Sequence, residues 1–199
     1  MNTEVFPSLC VFNNIERGIQ AGIYDGELAE TWRQRIKIKG EVDDAMAKAT
    51  KGNAKAMRTL EEWYKEGMNE LPKDEAKAEE WRNKATVKEW QDKAETGDTG
   101  AMFNLGISCR RGTFGLEQDN VEAFRWSKKA SDAGSTRALA LAGYLQIYGY
   151  GTKKNAVSGL IRLVSAAKDG SDYACYRLGL YSTKACMVLR RMSSKPCTG

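Results

Sequence analysis

The chain has 199 residues, with 31 basic against 26 acidic side chains, a formal charge of +5 and no histidine. The missing histidine excludes every Ser/His/Asp and Cys/His catalytic arrangement and every zinc site that uses an imidazole. The charge excess is mild and the two signs interleave, whereas nucleic-acid binders cluster Lys and Arg on one face, so nucleic acid is disfavoured as a partner.

Met1–Phe12 has neither a basic n-region nor a long apolar h-region and does not read as a secretory signal. No run of about twenty apolar residues occurs, so no membrane span is expected. Glu27–Ile38 and Glu41–Lys51 each predict a helix, the first carrying Trp32 and the second Ala45, Met46 and Ala49.

From residue 52 one sentence is spoken four times. Gly52-Asn53-x-x-Ala56-Met57-x-x-Leu60 returns as Gly97-Asp98-x-x-Ala101-Met102-x-x-Leu105-Gly106. It returns again as Gly134-Ser135-x-x-Ala138-Leu139-x-x-Ala142-Gly143, and last as Gly170-Ser171-x-x-Ala174-Cys175-x-x-Leu178-Gly179. The glycines step by 45, 37 and 36 residues, a period that marks a stacked repeat. Each Gly–polar pair stops one helix and caps the next: glycine takes the left-handed conformation, and Asn, Asp or Ser accepts from the free amides.

In the second copy Ala101, Met102, Leu105, Gly106 and Cys109 form one apolar helical stripe, helix A. Gly112 and Gly115 break that helix. A second helix, B, follows from about Asp119, with Ala123, Trp126 and Ala130 on one face. The third copy turns at Gly149 and Gly151 and sets Asn155, Gly159, Arg162 and Ala166 at the matching places. In the first copy helix B starts near Asp74, after Pro72, and runs through Trp81 and a second Trp90…Ala94 string. It is expected to be about nine residues longer. Neither helix can bury its stripe alone, so the units must stack. Gly106 and Gly143 are expected at close helix contacts.

The pattern Gly-Asp-x-x-Ala-Met-x-x-Leu-Gly, a glycine turn, then Asp119, Ala123, Trp126, Lys129 and Ala130 resembles the Sel-one-like repeat, a relative of the tetratricopeptide repeat. The resemblance covers roughly residues 52–183. It implies an all-α fold, an α-solenoid of stacked antiparallel helix pairs in a right-handed superhelix, that scaffolds protein complexes. The expected organisation is an N-terminal helical cap or decayed repeat over 1–51, about three and a half repeats over 52–183, and a tail over 184–199 outside the pattern.

Several local features invite a chemical reading. Cys109-Arg110-Arg111 could be an activated thiol, but Cys109 sits where the first copy has Tyr64, a packing position. Cys175 replaces Met57 and Met102 and is likewise expected in the core. So are Trp81 and Trp126. Glu61-Glu62 and Glu79-Glu80 point about 100° apart on a helix and read as solvated faces. The glycine turns lack the preceding strand and following Lys-Ser/Thr of a phosphate loop. No catalytic, cofactor or metal residue is assigned. The five cysteines, Cys10, Cys109, Cys175, Cys186 and Cys197, are odd in number and form no CxxC pair, which argues for free thiols and a reducing, cytoplasmic setting.

The resemblance also implies that helix A lines a concave groove. In that register the groove-facing residues include Arg58 in the first copy, Phe103, Ile107 and Arg110 in the second, Arg137 and Tyr144 in the third, and Tyr173 and Tyr176 in the fourth. Tyr and Arg dominate binding hot spots. The expected function is therefore a scaffold or adaptor that holds a protein or peptide in this groove. Two alternatives stay open: nucleic-acid binding through Arg110, Arg111, Arg137 and Lys184, and an enzyme without histidine.

Overall fold

The computed structural model describes residues 9–23 and 26–180. The tail over 184–199, with Lys184, Cys186 and Cys197, lies outside the described residues, as does Thr183. Helices α1 (Leu9–Gln20), α2 (Gly26–Thr50), α3 (Ala54–Glu66), α4 (Glu75–Glu95), α5 (Thr99–Arg111), α6 (Asn120–Asp132), α7 (Thr136–Tyr148) and α8 (Ala156–Lys168) follow in order. A further helical stretch, α9, covers 172–180. The described residues contain no strand, so the fold is an all-α helical repeat solenoid. The chain divides into two compact units, Met1–Lys88 and Glu89–Gly199, and the division falls within α4.

The repeated sentence becomes repeated geometry. Gly97 adopts φ +95°, and Gly52, Gly134 and Gly170 share its left-handed conformation. At each junction the cap amide returns to the preceding helix: Asp98 N donates to the Lys93 carbonyl (3.0 Å) and Ser135 N to that of Ala130 (2.9 Å). The cap side chains then take over. Asn53 Oδ1 accepts from Ala56 N at 3.0 Å, Asp98 Oδ1 from Ala101 N at 2.8 Å and Ser135 Oγ from Ala138 N at 3.3 Å. Each such cap is worth about 1 kcal/mol.

The A-to-B turns share a second device. Near the end of helix A in the first three copies, a carbonyl accepts from the backbone N–H that opens helix B. Asp74 N meets Tyr64 O at 2.8 Å, Asp119 N meets Cys109 O at 2.8 Å, and Asn155 N meets Gln146 O at 2.9 Å. This tie makes the turn a fixed corner, so the two helices of a pair pack antiparallel.

The first unit is held by Ala45 and Ala49 of α2, Ala56, Met57 and Leu60 of α3, and Ala85 of α4, with Met46, Trp63 and Trp81 against them. In the second unit Ala140 of α7, Leu163 and Ala166 of α8 and Ala174 of α9 form a core, with Leu139, Ile147 and Tyr173 beside it. Leu60, Leu105, Leu141, Leu145 and Leu163 are fully enclosed, each contributing roughly 1.5–3 kcal/mol of burial. Small residues let the helices approach. A Cβ on Gly106 would stand 3.3 Å from the Ala123 carbonyl oxygen of α6 and 3.3 Å from Leu141 of α7.

Helix α4 has 21 residues against 13 in α6, an excess of eight where about nine are expected. Helix α1 precedes the repeats, and its apolar residues carry no repeat signal.

Four expectations are corrected. The two helices expected over Glu27–Ile38 and Glu41–Lys51 are one, α2, of 25 residues. Gly40 lies between the two expected segments, and a glycine on an open helix face costs only about 1 kcal/mol against alanine. Cys175 is exposed rather than core. In the earlier copies this face meets helix B of the same pair, and no such helix of the fourth copy stands among the described residues; Gly179, unlike Gly106, has nothing within 4 Å of a built Cβ. Trp126 is half-buried at the surface under Lys129, whose Nζ is 5.2 Å from the ring centre.

Glu61 is the fourth. It occupies the place of the small residues Gly106 and Gly143, yet it is not a solvated carboxylate. It accepts from Arg58 at 2.9 Å and from Arg82 Nε at 2.6 Å, and only 17% of its side chain is exposed. An ion-pair bridge between α3 and α4 thus replaces the close helix contact of later copies. Burial pushes the Glu61 carboxyl up, but the hydrogen bonds and charges of Arg82 and Arg58 outweigh it and hold the group below its ordinary value.

Candidate partner-binding site

The helix A elements of the second unit put arginines and aromatic rings on one face. Helix α5 supplies Phe103 and Arg110, and α7 supplies Arg137 and Tyr144, seven residues apart in each case, so two helical turns align them. Helix α9 supplies Tyr173, Tyr176 and Arg177.

These side chains interleave. The Arg137 guanidinium carbon lies 4.5 Å from the Phe103 ring centre. Phe103 meets Tyr173 edge-on, 5.9 Å between centroids at 78°. Arg177 lies 5.0 Å from the Tyr173 ring centre and 4.1 Å from that of Tyr144. Arg110 lies 5.5 Å from Tyr144. The sequence Arg137, Phe103, Tyr173, Arg177, Tyr144, Arg110 is thus one contiguous ladder built from three helices. Each cation–π contact contributes on the order of 0.5–2 kcal/mol and fixes a long flexible side chain. Tyr148 and Tyr150 extend it: Tyr144 and Tyr148 are 5.0 Å apart, and Tyr148 stacks on Tyr150 at 5.4 Å and 15°.

Of the residues expected in the groove, Phe103, Arg110, Arg137, Tyr144 and Tyr173 enter this ladder. Tyr176 stands beside it, 63% exposed, with its ring 5.9 Å from Arg177. Ile107 is half-buried on α5. Phe103 is 4% exposed, covered by Arg137, so it forms the floor rather than an open contact. Arg58 belongs to the first unit and is engaged with Glu61 and, at 3.1 Å, with Thr86. Sequence reasoning missed Arg177 and Tyr150. Arg177 falls seven residues after its glycine, outside the assumed register. Its spacing of four from Tyr173 was the available signal, since such pairs meet on a helix surface.

The chemistry of Cys109 is set by its surroundings. Burial, with Glu122 and Asp119 adding negative charge, pushes the thiol up from its ordinary value. The neighbouring Arg110 guanidinium is directed to Tyr144 instead. A buried thiol held protonated is a packing group.

A family model described as the Sel1 repeat matches residues 62–86, 99–135, 136–170 and 172–184, more than half of the chain. Among solved structures, a Sel1 repeat protein from Oxalobacter formigenes is similar at 25% identity. The match covers 70% of this chain and 97% of that one, with a TM-score of 0.38. A protective antigen present in uropathogenic Escherichia coli strains, displaying an SLR fold, is similar at 17% identity. That match covers 84% of this chain and 40% of the antigen, with a TM-score of 0.44. No helix among the described residues is long and apolar enough to cross a membrane.

Proposed function

Since the chain belongs to the Sel1 repeat family, whose members generally act as protein-interaction scaffolds, we propose that it is an adaptor that binds a peptide or partner protein along the face lined by α5, α7 and α9. The observation that carries this reading is the ladder of interleaved guanidinium and aromatic groups on consecutive helix A elements. Tyr and Arg supply large contact areas and strong donors, the properties of hot-spot residues. The rings are already ordered by their arginines, so little side-chain entropy is lost on binding.

The same reading assigns no catalytic residue and no cofactor, in keeping with a family that is typically non-catalytic. It places the protein in the cytoplasm, on the cysteine pattern, and takes 52–183 as the repeat domain. A pull-down with mass spectrometry, run with the parent chain and with Tyr144→Ala/Arg137→Ala, tests the proposal. Capture should be lost in the double variant while its helical circular dichroism is unchanged. A partner retained equally by both would move the site off this face.

A further inference from the structure

The ladder contains two arginines on one ring. Arg110 and Arg177 both lie over Tyr144, at 5.5 and 4.1 Å. Among the described residues neither meets a carboxylate. Arg33, Arg35, Arg58, Arg82 and Arg125, by contrast, each have an acidic partner within 3.1 Å, while Arg111, Arg137 and Arg162 share the lack of one among the described residues. The Nε atoms of Arg110 and Arg177 and the hydroxyl of Tyr173 are also buried without a hydrogen-bond partner. Two like charges drawn to a single ring repel each other, and buried donors left unmade cost free energy.

We propose that Arg110 and Arg177 together receive a side-chain carboxylate, an Asp or Glu, of the bound peptide. The proposal rests on the α5–α7–α9 binding face and deepens it. With Nε of both arginines buried, it is the terminal Nη1–Nη2 edge of each guanidinium that remains to form paired bonds with a planar carboxylate. An anion placed there neutralises the repulsion between the arginines. Tyr144, which both approach, sets their positions, and Tyr173 on Arg177 orients the second one. The carboxylate therefore registers the peptide, and the neighbouring tyrosines take its apolar residues.

Selection from a library of random linear displayed peptides tests this and needs no identified partner. Peptides enriched on the parent protein should carry an Asp or Glu at a fixed place relative to an apolar residue. For one such peptide, Arg177→Gln should weaken binding about thirtyfold or more, as loss of a hydrogen-bonded charge partner does. Changing the peptide's acid to its amide should do the same. The two changes together should cost little more than either alone, because they remove one interaction. The peptide-side change keeps the test decisive if Arg177→Gln folds poorly. Enriched peptides that lose binding with Tyr144→Ala but lack a required acid would overturn the carboxylate receptor and leave the binding face standing. Peptides indifferent to Tyr144→Ala, or no enrichment at all, would overturn both.

Discussion

Gly143 and Gly159 meet backbone to backbone where α7 crosses α8: a Cβ on Gly143 would stand 2.7 Å from the Gly159 carbonyl oxygen. No real side chain tolerates that distance, so Gly143→Ala must push the helices apart. The expected cost is about 1–3 kcal/mol, the range for overpacked cores, read as a lower midpoint in denaturant. Gly40→Ala is the matched control. Gly40 lies inside α2 with nothing within 4 Å of a built Cβ, so alanine should stabilise by roughly 0.5–1 kcal/mol. Equal effects at the two sites would contradict the packing.

The Glu61 bridge makes stability depend on pH. Its folded carboxyl sits below the ordinary value of 4.5. A group depressed in the folded state stabilises above its unfolded value, and that stability is lost as pH falls through the folded value. Glu61→Gln should therefore be less stable than the parent at neutral pH. The gap should close on acidification below 4.5 and not on moving to alkaline pH. A pH-independent gap in urea midpoints would show that the side chain acts by packing alone.

The cysteines should all be free. After unfolding without reductant, alkylation should add five adducts by intact mass, one for each cysteine of the chain. In the native protein peptide mapping should find Cys175, which is exposed, modified well before Cys109, which is buried with its thiol pushed up. A mass consistent with fewer adducts and a retained disulfide would point away from a reducing compartment.

The repeat was legible because its punctuation is backbone chemistry. Gly97-Asp98 needs a left-handed residue and a capping oxygen, and few residue types serve either role, so the sequence repeats where the geometry repeats. The interior of α2 was less legible, since Gly40 lies between the two expected segments without breaking the helix. Glu61 reads as solvated for a different reason: its partner Arg82 lies 21 residues away on another helix, and only tertiary packing brings the two together. The proposed binding face fell between these cases. The register implied by the repeat resemblance named Arg110, Arg137, Tyr144 and Tyr173, and these side chains meet in the ladder. The spacing of four links Arg177 to Tyr173, but its contact with Tyr144 comes from the way α9 packs on α7, which that local spacing does not encode.

The most direct measurement of the central claim is the affinity of a captured partner for three proteins: the parent, Tyr144→Ala and Ile161→Lys. Ile161 is 64% exposed on α8, a helix B element away from the ladder. Truncating a hot-spot tyrosine costs about 2 kcal/mol or more, so Tyr144→Ala should weaken binding roughly thirtyfold by titration calorimetry, and Ile161→Lys should leave it unchanged. Full affinity in Tyr144→Ala together with loss in Ile161→Lys would contradict the account and assign the partner to the helix B side.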